Sequence, residues 1–178
     1  MIDKTALEQK GFQGFLPFTQ QKAGDLSEVP KKPGVYVVVT PEGWKTEFMD
    51  HNPGGKKKGY DPTEDRSKLE QKWVDEATVL YIGKVGGVEY RPDRTLNRRI
   101  REFINFGTGK SNNHKGGRLI WQLRDAHSLQ VAWLPADEPL ELENRMLLSF
   151  KGTYGKLPFA NLRFSKKLTT AIASSKRT

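Results

Sequence analysis

Two stretches, Gly34-Val35-Tyr36-Val37-Val38-Val39 and Thr78-Val79-Leu80-Tyr81-Ile82-Gly83-Lys84, decide how this chain is read. Each is a dense run of β-branched and aromatic residues, the composition of strands buried on at least one face. Each also carries a phenol, and a hydroxyl is costly to bury without a partner. A glycine flanks each phenol, Gly34 or Gly83, where another backbone or a ligand can come close. The pair predicts two adjacent antiparallel strands bearing Tyr36 and Tyr81.

Working outward, the periodicities predict a small α/β domain. Leu96, Ile100, Phe103 and Ile104 fall on one face of a helix. Leu129 to Leu134 alternate as a third strand should. Glu138-Pro139 opens a further helix that runs to about Phe150, because proline suits the first helical turn. Leu119-Ile120-Trp121 with Leu123 suggests another helix, with a strand as the alternative. Residues 40–77 form an insertion between the first two strands. Its first half is loop-like, with Asn52-Pro53-Gly54-Gly55 and then Lys56-Lys57-Lys58. Its second half reads as a helix that Asp61 caps and Pro62 opens, with Leu69, Trp73 and Val74 as its apolar stripe. Residues 1–33, with Phe12, Phe15 and Phe18, read as an N-terminal cover that Pro30 and Pro33 end. A single domain then spans residues 1–164. Residues 165–178 hold Lys166, Lys167, Lys176 and Arg177 and no acid, and read as a flexible basic tail.

A chain of 178 residues fits one domain. Its 30 Lys and Arg against 21 Asp and Glu give a net charge of +9. That balance favours a polyanionic partner through long-range attraction and counterion release. The longest apolar run is five residues, far short of the ~20 that span a bilayer. Met1-Ile2-Asp3-Lys4 lacks the apolar core of a secretory signal, so no membrane association is expected. Cysteine is absent, which excludes disulfides and thiolate metal sites and agrees with a cytoplasmic location. Thr108-Gly109-Lys110-Ser111 ends like a phosphate-binding loop, but Ile104 stands where its first glycine is required. No two histidines have zinc-ligand spacing.

Two charged residues stand where helices should be apolar. Glu143 shares a helical face with Met146, Leu147 and Phe150, whereas Glu141 meets Arg145 at i+4 and has a solvent ion pair to explain it. A carboxylate facing a core needs a cation or hydrogen bonds. Arg99 flanks the buried face between Leu96 and Phe103, while Arg98 and Arg101 point away. A guanidinium at that place offers forked donors to a phosphate.

Five elements in order resemble the GIY-YIG nuclease family. They are Gly34-Val35-Tyr36, with valine for the usual isoleucine, and Tyr81-Ile82-Gly83. The helix Leu96-Asn97-Arg98-Arg99-Ile100-Arg101-Glu102-Phe103 follows, then Leu142-Glu143-Asn144-Arg145-Met146-Leu147, then Leu157-Pro158-Phe159-Ala160-Asn161. The resemblance implies a small three-stranded antiparallel sheet flanked by helices. It implies a metal-dependent DNA endonuclease that hydrolyses phosphodiester bonds by water attack. Glu143 would hold Mg²⁺ or another divalent cation such as Mn²⁺, Arg99 would steady the phosphoryl oxygens, and Asn161 would brace the site. Tyr36 would orient or deprotonate the water, with Tyr81 positional. A phenol is a poor base near neutrality unless a cation lowers its pKa, and Lys84 and the metal are the cations expected there. Lys56, Lys57, Lys58, Arg98, Arg101 and His114 are expected to contact DNA. The chain departs from the family twice. Its two motif strands are separated by the long insertion, and Phe103 occupies the place of a histidine or tyrosine one turn after the arginine. That leaves the general base open, with His114 as a stand-in proton carrier. Both departures favour an alternative, a catalytically silent nucleic-acid-binding module on the same fold.

Overall fold

The computed structural model describes residues 2–21, 26–55, 60–87, 94–110 and 117–164. In chain order the elements are α1 (Lys4–Gln9), β1 (Gln13–Pro17), α2 (Phe18–Gln21), β2 (Gly34–Val39), α3 (Arg66–Lys72), β3 (Val79–Val85), α4 (Leu96–Gly107), β4 (Gln130–Pro135) and α5 (Pro139–Tyr154). Two 3-10 turns, Arg118–Gln122 and Ala126–Ser128, precede β4.

The apolar runs form β2 and β3, which pair antiparallel, with β4 on the other side of β2. The sheet has four strands in the order β1-β4-β2-β3, all pairs antiparallel, rather than the three expected. The additional strand, β1, lies in the segment read as a cover. Its pairing with β4 shifts register between Gly14 and Leu16, and Phe15 sits at φ 55°. Such a bulge breaks the period-two alternation by which a strand is recognised. Gly14 is required at φ 98°, and a Cβ there would lie 2.6 Å from Cη2 of the Trp133 ring.

Alternation along the strands sorts side chains to two faces. Tyr36, Val38 and Val85 pack with Leu96, Ile100 and Phe103 of α4 and with Trp121 and Trp133. Val35, Val37, Val39 and Ile82 pack with Met146, Leu147 and Phe150 of α5. The sheet is thus the middle layer between two helices. Thr95 caps α4 by accepting from the Arg98 amide. Proline starts α5, which runs one turn beyond Phe150 and ends on Gly155 at φ 71°.

β3 is an edge strand, and an edge exposes unpaired backbone groups. Here the segment before residue 162 covers it. The Ala160 amide donates to the Leu80 carbonyl at 2.9 Å. The Asn161 side chain accepts from the Ile82 amide at 3.0 Å and donates to the Ile82 carbonyl at 2.8 Å.

The insertion helix begins later than expected, at Arg66. Asp61 accepts from the Thr63 amide in a local turn. The backbone that would continue a helix from Pro62 is bound elsewhere. The Glu64 amide donates to Gln122 at 2.8 Å, its carbonyl accepts from Gln122, and the Pro62 carbonyl accepts from Arg118. Nor do Leu69, Trp73 and Val74 form one stripe. Leu69 enters the α4-side core and Val74 the α5-side core, while Trp73 caps the helix, partly buried against Phe48 and Phe159. Among the described residues no helix is long and apolar enough to cross a membrane. Lys56, Lys57, Lys58, His114 and the tail 165–178 lie outside the described residues.

Candidate active site

The β2–β3 register sets Tyr36 opposite Gly83 and Val38 opposite Tyr81. Both phenol rings therefore converge on Gly83 from one face of the sheet. A Cβ on Gly83 would stand 2.8 Å from Tyr36 Cζ and 2.7 Å from Tyr81 Cε1. Only glycine leaves room for this pair, which is the physical reason a phenol and a glycine belong two positions apart on β3. The ring centroids are 5.7 Å apart, and the two hydroxyls are hydrogen-bonded to each other.

Phe103 of α4 forms the floor beneath them. It stacks on Tyr81 at an interplanar angle of 12° and lies 6.5 Å from the Tyr36 ring, fully buried. The place of a proton-carrying side chain is therefore hydrocarbon. One turn earlier on the same helix, Arg99 donates to the Tyr36 hydroxyl oxygen, with a fifth of its side chain exposed. Burial raises both phenol pKa values above their ordinary 10, Tyr81's further than Tyr36's, and the Arg99 charge offsets this only in part. That is the reverse of the shift a base at neutral pH requires. These phenols keep their protons, and the fully buried Tyr36 spends its hydroxyl on Tyr81 and Arg99.

Glu143 projects from α5. Its carboxyl is raised from the ordinary 4.5 to about 7, first by burial, against which act the Lys84 charge, a hydrogen bond from the Lys84 backbone and the Arg99 charge. Lys84 stands opposite Val35 in the register, on the α5 side. Its charge acts on the Glu143 carboxylate, and the cation whose charge acts on both phenols is Arg99. Arg99 acts on Tyr36, Tyr81 and Glu143 together and is the electrostatic centre of the site. Glu141, as expected, pairs in solvent with Arg145 at 3.1 Å.

Asn161 is buried and spends both ends of its amide on Ile82, next to Gly83. It braces the strand that carries Tyr81 and Lys84. Arg98 is exposed and reaches Glu102 at 3.5 Å; Arg101 is exposed and donates to Asn97 at 3.3 Å. Sequence reasoning missed Arg94 and Glu102. Glu102 Oε2 accepts from Arg94 at 2.7 Å and from Arg99 at 3.2 Å. The signal was present, since Glu102 stands at i+3 from Arg99 and i+4 from Arg98 on one helix.

Among the described residues no group of three or more His, Asp or Glu is arranged to hold a metal ion. Glu143 is a single carboxylate whose pKa is raised to about 7 because burial outweighs the Lys84 and Arg99 charges that face it. This fits a hard cation of the Mg²⁺ type, which takes one or two protein carboxylates and completes its shell with water and substrate phosphate. Comparison with protein-family models, curated proteins and solved structures gives no match.

Proposed function

We propose that this chain is a metal-dependent DNA endonuclease of the GIY-YIG type, hydrolysing phosphodiester bonds by attack of water. The observation that carries this reading is the partly buried Glu143 carboxyl, raised to about 7, beside Lys84 and within the field of Arg99. A purely structural helix gains nothing from a carboxylate there, whereas a cation and a phosphate would complete its surroundings. Glu143 would hold Mg²⁺ or Mn²⁺, which when bound supplies Lewis-acid stabilisation of phosphoryl and leaving oxygens. The protein's own part is to place and charge the site. Arg99, fixed by Tyr36 and Glu102, donates to phosphoryl oxygens whose charge grows during displacement. Tyr36 and Tyr81, buried and bonded to each other, hold Arg99 in place; the attacking water would give its proton to solvent, Lys84 compensates Glu143, and Asn161 holds β3 in place. The +9 charge draws the protein to DNA.

The second reading, a silent nucleic-acid-binding module, is favoured by one observation: hydrocarbon from Phe103 fills the floor and both phenols hold their protons. Incubation with DNA separates the two. The endonuclease breaks the backbone in Mg²⁺ or Mn²⁺ and loses activity in EDTA; the module binds DNA and leaves it intact in either ion.

A further inference from the structure

Arg94 stands outside the elements that carry the family resemblance, and Glu102, inside one of them, has no role assigned by it; together they extend the site. Arg94 immediately precedes the α4 cap residue Thr95, and its carbonyl oxygen packs against Gly86, two residues beyond Lys84. Its side chain is four-fifths buried, an unusual state for an arginine on a connecting segment. It shares a single oxygen, Glu102 Oε2, with Arg99. Two guanidiniums donating to one atom are held within a few ångströms of each other. Arg98 approaches the other oxygen, so one carboxylate faces three guanidiniums. An exposed arginine pair would gain little from such a partner. Half-buried arginines brought together at fixed spacing are the arrangement that forked recognition of phosphate requires.

We propose that Arg94 is a second phosphate-binding arginine beside Arg99, and that Glu102 is the positioning residue that holds the two guanidiniums as one receptor for a DNA phosphodiester. The inference rests on the endonuclease reading for its kinetic half and on DNA binding alone for the other. Arg94 contacts a phosphate directly. Glu102 touches no substrate; it restricts the rotamers of Arg94 and Arg99 and keeps their forks aimed.

The test compares wild type with Arg94→Ala, Arg94→Lys, Glu102→Gln and, as control, Arg66→Ala, whose side chain pairs with Glu70 on the solvent side of α3. Binding of a short DNA duplex without divalent cation is measured across a salt series, and cleavage of plasmid DNA is measured in Mg²⁺. Arg94→Ala should flatten the slope of log affinity against log salt by about 0.9, the share of one phosphate contact. Arg94→Lys should keep that slope but lower kcat, because charge is retained and the fork is lost. Glu102→Gln should lower kcat on the order of 10²-fold, the effect of misplaced catalytic groups, without raising KM, since the variant is more positive than wild type. Arg66→Ala should match wild type. A slope unchanged in Arg94→Ala overturns the phosphate contact. A wild-type kcat in Glu102→Gln, whatever its melting temperature, reduces Glu102 to a surface ion partner and overturns its positioning role. If wild type binds DNA without cleaving it, the endonuclease reading fails, and the Arg94→Ala slope alone decides the receptor.

Discussion

Replacing Glu143 by glutamine should make the protein more stable at pH 8 while abolishing its activity. The unfolded carboxyl ionises near 4.5, whereas the folded one keeps its proton to about 7. Between those values the folded state binds more protons than the unfolded, so stability falls as pH rises through the window and levels off above it. A tenfold difference in proton affinity between the two states is worth about 1.4 kcal/mol, so ionised Glu143 withholds up to about 3 kcal/mol at pH 8 and under about 1 kcal/mol at pH 5. Glutamine keeps the shape of the neutral acid and escapes this. For a chain of this size the gain corresponds to roughly 2–4 °C in melting temperature per kcal/mol. Urea unfolding of both proteins from pH 5 to pH 8 measures it. The stability difference should widen steadily with pH. Mg²⁺ should nearly cancel it, raising wild type by about 2.7 kcal/mol at a hundredfold excess over Kd and leaving Glu143→Gln unmoved. A variant no more stable than wild type at pH 8, or a difference independent of pH, would refute the partly buried, under-compensated carboxylate.

The other expectations concern the residues around it. Arg99→Ala should lower the cleavage rate by on the order of 10²-fold or more, whereas Arg98→Ala and Arg101→Ala should mainly weaken DNA binding and its salt dependence; identical behaviour of all three would mean that Arg99 has no special place. Asn161→Ala leaves the Ile82 amide and carbonyl unpaired at a buried site, so chemical denaturation should show a loss of about 2–5 kcal/mol. Gly83→Ala should disrupt the phenol pair, and a native-like near-ultraviolet tyrosine signal in that variant would show that the rings can yield. Trp73→Ala should destabilise by roughly 2 kcal/mol, below the range of a fully buried tryptophan because Trp73 is only partly covered. Replacing Lys56, Lys57 and Lys58 by alanine should leave the melting temperature alone and weaken DNA binding more at low salt than at high.

What was legible in the sequence is what packing dictates locally. β2, β3 and β4 are runs or alternations of strand-forming residues, α4 carries an apolar stripe, and α5 carries one that Glu143 interrupts. Glu143 stood out because every helical neighbour on its face is apolar, and Glu141 because Arg145 explains it. The misses share a cause, which is that distant partners overrule local signals. β1 contains Gly14, Pro17 and a bulge at Phe15, and only its pairing with β4 makes it a strand. Asp61-Pro62 has the form of a helix start, but Arg118 and Gln122 capture the backbone that would have continued it. The pairing of Arg94 with Glu102 joins a loop to a helix and could be seen only in three dimensions.

Supercoiled plasmid incubated with the protein in Mg²⁺ separates hydrolysis from binding. Wild type should yield nicked or linear DNA, and neither Glu143→Gln in Mg²⁺ nor wild type in EDTA should yield product. Intact plasmid across Mg²⁺ and Mn²⁺, or cleavage that survives EDTA or the Glu143→Gln substitution, would contradict the endonuclease reading.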